Sequence, residues 1–181
     1  MDVLARESEM GLRGLARIAW VTGAAMAATS VAAEELTSFV DAQKGARGCW
    51  SRQYSAEHLA AHPDQLVTAM DFTMQFDGEF HYFELTADLR GGQSGRAAGA
   101  CSGYEGVVSC GVDCDGGGVI LSHGADGKVL LDLSEYGYIR MTNSCGEDEE
   151  DGFALEAGKD DKEFLLSPAS GKACKPLAWA N

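Results

Sequence analysis

The stretch VTAMDFTMQFDGEFHYFEL, residues 67–85, decides the fold. From Val67 to Phe76 the even positions Met70, Phe72, Met74 and Phe76 are apolar, whereas Asp71, Thr73 and Gln75 are polar. This period of two belongs to a strand with one buried face. Asp77-Gly78 then reads as a two-residue hairpin turn, which pairs Phe76 with Glu79, Met74 with His81, Phe72 with Phe83 and Met70 with Leu85. The apolar faces coincide in that register, with one blemish, Asp71 opposite Glu84.

The same alternation recurs downstream at 97–102, 107–113, 119–123, 129–133, 138–142, 153–157 and 163–166, giving nine expected strands. Turn residues punctuate them at Glu105-Gly106, 115–118, 124–127, 146–152 and 158–161. Connections this short suit antiparallel neighbours, because a parallel pair needs a long crossover. A long meander must deal with its edges, so the expected fold is all-β: an antiparallel up-and-down β-barrel of about eight to nine strands. A β-sandwich is the alternative. Upstream, two short helices are expected: one over 34–44, with Leu36, Phe39 and Val40 on one face, and one capped by Ser55 that stops before Pro63.

The N-terminal 33 residues read as a signal peptide. Arg13 and Arg17 precede the weakly apolar run Ile18 to Ala33, which ends in Ser30-Val31-Ala32-Ala33 and contains too many small polar residues for a membrane span. The acidic first nine residues fit such a signal poorly, and translation from Met10 would suit it better. The expected organisation is a signal at 1–33 and one β-rich domain over 34–181, periplasmic or secreted, with no stable membrane anchor after cleavage. No cysteine stands near the cleavage point to carry a lipid.

Charge narrows the partners. Arg6, Arg13 and Arg17 balance Asp2, Glu7 and Glu9, so the net charge of −14 falls entirely on residues 34–181. Nucleic acid and anionic lipid are disfavoured, since both need a basic face, and a cationic protein or peptide is favoured.

The six cysteines, Cys49, Cys101, Cys110, Cys114, Cys145 and Cys174, are even in number and absent from the signal, as exported disulfide-bonded chains require. If Glu105-Gly106 is a two-residue turn, Tyr104 faces Val107 and Cys101 falls opposite Cys110, close enough to bond. Cys49 and Cys174 flank the strands and could tie their ends, which leaves Cys114 with Cys145.

Chemistry-bearing patterns are few. Asp113 and Asp115 precede a glycine-rich bend, but Gly117 and Gly124 stand where a calcium loop needs oxygen ligands, so a β-turn is the better account. His58 and His62 share a helical face without the H-E-x-x-H pattern, and they are expected to serve as surface or capping residues. No metal site is therefore assigned. The run Gly91-Gly92-Gln93-Ser94-Gly95 is not a nucleophile elbow and Gly116-Gly117-Gly118 is not a P-loop, so neither a catalytic residue nor a cofactor is assigned. The acidic positions Glu147, Asp148, Glu149, Glu150, Asp151, Asp160 and Asp161 lie on two expected turns separated by one strand of about 20 Å, and they are the candidate partner-binding residues.

The run from Cys49 to Gln65 (CWSRQYSAEHLAAHPDQ), the turn VDCDGGG at 112–118 and GKDDK at 158–162 resemble a group of exported bacterial proteins to which no activity is attached. That resemblance covers nearly all of residues 34–181 and implies export without implying a reaction. Two classes of function stay open: a non-catalytic binding or interaction module of the cell envelope, taking a cationic protein or peptide or a small ligand, and an envelope hydrolase with no recognisable sequence motif.

Overall fold

The structure, a computed structural model, describes residues 35–113, 115–141, 152–158, 160–171 and 174–178. Their elements run β1 (Arg47–Gln53), α1 (Ala56–Ala61), β2 (Val67–Phe76), β3 (His81–Leu89), β4 (Ser94–Tyr104), β5 (Val107–Val112), β6 (Gly118–His123), a 3-10 turn (Ala125–Gly127), β7 (Val129–Asp132), β8 (Tyr138–Met141), β9 (Phe153–Glu156) and β10 (Glu163–Pro168). Eight strands close an antiparallel barrel in the order β1-β10-β7-β6-β5-β4-β3-β2, so the up-and-down expectation holds and the sandwich does not.

The membership of that barrel differs from the expected meander in two ways. First, β1 is a barrel strand in a stretch where no strand is expected from the sequence. Its inward positions are Gly48, Trp50 and Arg52, too mixed to show an apolar stripe; Gly48 is small because the Trp50 indole lies against it, where a Cβ would fall 2.3 Å from the ring. Second, β8 and β9 leave the barrel and pair with each other, while β10 takes the place between β7 and β1. The hairpin is seated across one rim: Gly117 bridges to Ile139, and Gly95 makes room for the Phe153 ring and Met141.

The β2–β3 register is also corrected. Asp77 Oδ1 accepts from the Glu79 and Phe80 backbone N–H groups, both at 2.8 Å, and Asp77 N–H donates to Phe80 O. This local bonding extends the connection to four residues, so Phe76 pairs with His81, Met74 with Phe83 and Phe72 with Leu85. The shift is two residues, so the apolar faces still coincide. It also removes the like-charge pair: Asp71 faces Thr86, and Glu84 bonds Arg96 at 2.7 Å. The β4–β5 turn forms as expected, with Glu105 at φ 50 and Gly106 at φ 84, Tyr104 opposite Val107 and Cys101 opposite Cys110.

Inward side chains fill the barrel. Phe72, Met74, Phe83, Leu85, Leu131 and Phe164 are fully buried, with the Phe72 ring 5.9 Å from Phe83 and 6.0 Å from Trp50. Burial of each such side chain contributes about 1.5–3 kcal/mol, which makes this stack the main favourable term of the fold. Both ends are covered. Ile139, Met141 and Leu155 of the β8–β9 hairpin are buried over one rim. At the other rim Leu36, Phe39 and Val40 pack in, while Leu177 is buried on the outer side of β2, its N–H donating to Gln75 Oε1 at 3.0 Å.

Of the expected helix over 34–44, residues 35–37 are α-helical and the helix stops there. Ser38 Oγ donates to Glu35 O at 2.6 Å, a local bond that competes with helix continuation. The second helix forms as expected: Ser55 Oγ accepts from His58 N–H at 3.1 Å, and α1 ends before Pro63.

Candidate functional site

Strand polarity sorts the chemistry-bearing residues between the two rims. The ends of β1 and β3 and the start of β2 meet α1 at the rim that the hairpin covers. There Arg52, Tyr54, His58 and His62 form one column: the guanidinium stands 4.9 Å over the Tyr54 ring, Tyr54 stacks on His58 at 4.7 Å, and His58 on His62 at 4.3 Å. The helical spacing of four residues brings the two imidazoles together as expected, but into a stack. His58 Nε2 donates to Gln65 Oε1 at 3.0 Å, which occupies that nitrogen. No group of three His, Cys, Asp or Glu side chains able to hold a metal ion comes together among the described residues.

Beneath this column the segment joining α1 to β2 is tied down by two charged side chains. Arg90 donates through Nε to Gln65 O at 2.6 Å and through one terminal nitrogen to Leu59 O and His62 O, satisfying carbonyls at the end of α1. Asp161 accepts from Leu66 N–H at 2.5 Å and Val67 N–H at 3.2 Å. Burial raises the Asp161 pKa above the ordinary carboxylate value; the two backbone N–H groups oppose that shift without cancelling it. The Tyr54 hydroxyl is likewise raised, chiefly by burial, with Arg52 opposing and Asp161 adding to the shift.

These positions redistribute the expected acidic surface. Asp161 is only 3% exposed and holds backbone, so it is not part of a solvated patch. Asp160 is half-buried. Glu147, Asp148, Glu149, Glu150 and Asp151 lie outside the described residues.

The Asp113–Gly118 turn is a docking point for the hairpin. Three of its described carbonyls are engaged: Asp115 O accepts from the Tyr138 hydroxyl at 2.6 Å, Gly116 O from Arg140 N–H at 2.8 Å, and Gly117 O from Val112 N–H at 2.9 Å. The Cys49–Cys174 and Cys101–Cys110 disulfides form, with Cα separations of 5.4 and 4.0 Å. Cys114 and Cys145 lie outside the described residues.

At the opposite rim, Ser38 Oγ and His123 Nε2 stand 2.8 Å apart, and the imidazole stacks on Phe39 at 3.9 Å. A serine nucleophile must give its proton to histidine. Here the hydroxyl proton is directed at Glu35 O, so Ser38 accepts from His123 and the pair has the polarity of a structural contact.

The same rim carries a feature that the sequence reading missed. Tyr104 is 72% exposed, Phe80 51% and Val107 46%, on neighbouring turns of β3, β4 and β5. Alternation from buried Cys101 puts Tyr104 on the outer face, whereas the Phe80 position follows only from the four-residue connection. No protein-family model, no curated protein and no solved structure matches this chain.

Proposed function

We propose that the chain is an exported, non-catalytic interaction module that binds a cationic protein or peptide through its outer surface. The observation that carries this reading is the filled barrel, covered at both rims, which directs recognition to the exterior. The exterior belongs to a chain with a net charge of −14, a field that attracts cations and speeds their encounter. The hydrolase reading gains no support from Ser38 and His123, whose hydrogen-bond polarity is the reverse of what nucleophilic attack needs.

Export is part of the proposal, and two disulfides are compatible with an oxidising compartment. Protein purified from the cell envelope is expected to begin at Glu34 by intact mass; a chain that keeps Met10 or earlier residues would remove the export reading.

Partner chemistry is tested separately. Neutralising Glu147, Glu149 and Glu150 to Gln with Asp148 and Asp151 to Asn is expected to slow association with a synthetic arginine-rich peptide and to flatten its salt dependence, leaving dissociation nearly unchanged. Stopped-flow association rates at low and high ionic strength check this. Identical salt slopes for the two proteins would show that the acidic segment does not steer binding.

A further inference from the structure

We propose that the tip of the β4–β5 hairpin, Tyr104 to Val107, forms with Phe80 the face that docks a cationic partner, by stacking the partner's arginine side chains on exposed aromatic rings. This inference rests on the proposed function and assigns it a surface. Single exposed apolar residues are ordinary, but Phe80, Tyr104 and Val107 stand together on adjacent turns, with the Phe80 ring edge-on to Tyr82 at 6.3 Å.

The tip is held rigid. The Cys101–Cys110 disulfide lies three residues behind it on each strand, Ser102 Oγ and Ser109 Oγ are 3.2 Å apart on the outer face, and the Glu35 carboxylate accepts from Gly106 N–H. A bridge separated by only nine residues constrains the unfolded chain far less than one separated by 125 does, so its larger effect is local: it holds the backbone of the turn that carries Tyr104. Aromatic anchors immobilised before binding lose little entropy on binding, which is the usual property of residues that dominate an interface.

Charge selects the occupant. Asp77, Glu79 and Glu105 share the two turns with these rings, and Lys44 rests its alkyl chain on Gly78, beside Asp77. Backbone N–H groups of Phe80 and Glu79 hold the Asp77 pKa below the ordinary carboxylate value, which keeps that charge in place under mildly acidic conditions. Exposed aromatic faces with carboxylates on the same turns match a planar guanidinium, which stacks and forms forked hydrogen bonds at once. A second apolar face would offer Glu79 and Glu105 no counter-charge.

The probe is a synthetic peptide of alternating arginine and glycine, titrated into the ¹⁵N-labelled protein, with binding constants from calorimetry. Amide shifts are expected to cluster at 78–82 and 103–108. Phe80→Ala with Tyr104→Ala is expected to weaken binding by about tenfold, whereas Tyr104→Phe, which keeps the ring, changes it little. Both substitutions are at exposed positions, and an unchanged near-UV spectrum with both disulfides intact verifies the fold. Shifts that map elsewhere, with unchanged affinity in the double variant, would overturn this surface and leave the proposed function standing. No binding of the peptide by the wild-type protein would overturn both. A dimer in sedimentation that Tyr104→Ala abolishes would assign the face to a second copy and overturn the cationic occupant.

Discussion

Cys49→Ser combined with Cys174→Ser is expected to lower stability by about 4–5 kcal/mol, with β1 the first strand to lose protection from hydrogen exchange. The bridge has a sequence separation of 125 residues, and on the chain-entropy account a loop of that length removes the most freedom from the unfolded chain. It also sits where the barrel is least held together. The β1–β10 seam pairs only Trp50 with Pro168 and Ser51 with Ser167, extended by Ala169 N–H to Cys49 O at 2.8 Å and Trp50 Nε1–H to Gly127 O at 2.9 Å. By contrast β2 and β3 pair along nearly their whole length. Urea unfolding of the double variant against Cys101→Ser with Cys110→Ser is the check, because the shorter bridge is expected to cost only about 3 kcal/mol. If the short bridge proves the more costly, the seam is not the weak line of the barrel.

The barrel was legible wherever a strand has one apolar face and ends at a turn with a strong local signal. The segments 67–76 and 107–113 are of this kind: the second pairs in its expected register, and a two-residue register shift between the first and β3 left the buried faces unchanged because side-chain direction repeats every two residues. Three features depended on distant partners and were not legible. Arg47–Gln53 became a strand because Trp50 fits over Gly48 and pairs opposite Phe72, which no local pattern announces. The segments Tyr138–Met141 and Phe153–Glu156 alternate like barrel strands, yet their apolar residues find a better seat on Gly95 and Gly117. Nor does a local alternation say which sheet it will join. Asp161 stands in GKDDK, residues 158–162, which reads as a solvated turn, and only the folded chain brings Leu66 and Val67 to it from 95 and 94 residues away.

Asp161→Ala is expected to destabilise the fold by about 3 kcal/mol, because it removes the acceptor of two backbone N–H groups at once and leaves that of fully buried Val67 without a replacement. Asp161→Asn keeps one side-chain oxygen in the same place and carries no charge to desolvate, so its cost at neutral pH is expected to be about 1 kcal/mol or less. The direction of the pH dependence separates these two contributions. Burial raises the Asp161 pKa, so between the ordinary carboxylate value and the raised one the folded chain still holds a proton that the unfolded chain has released. Stability contributed by this group is therefore full below the ordinary value, falls as pH rises through that window, and is constant above it. Asp161→Asn has no such proton, so the wild-type protein should lose ground to this variant as pH rises, and the difference should level off once Asp161 is ionised. Urea unfolding of both proteins from about pH 3 to about pH 8 measures that difference, and the remaining carboxylates, common to both, cancel. A wild-type protein that gains on Asp161→Asn with rising pH would mean that the two backbone bonds outweigh desolvation, and that the carboxylate is held there as an anion by its hydrogen bonds.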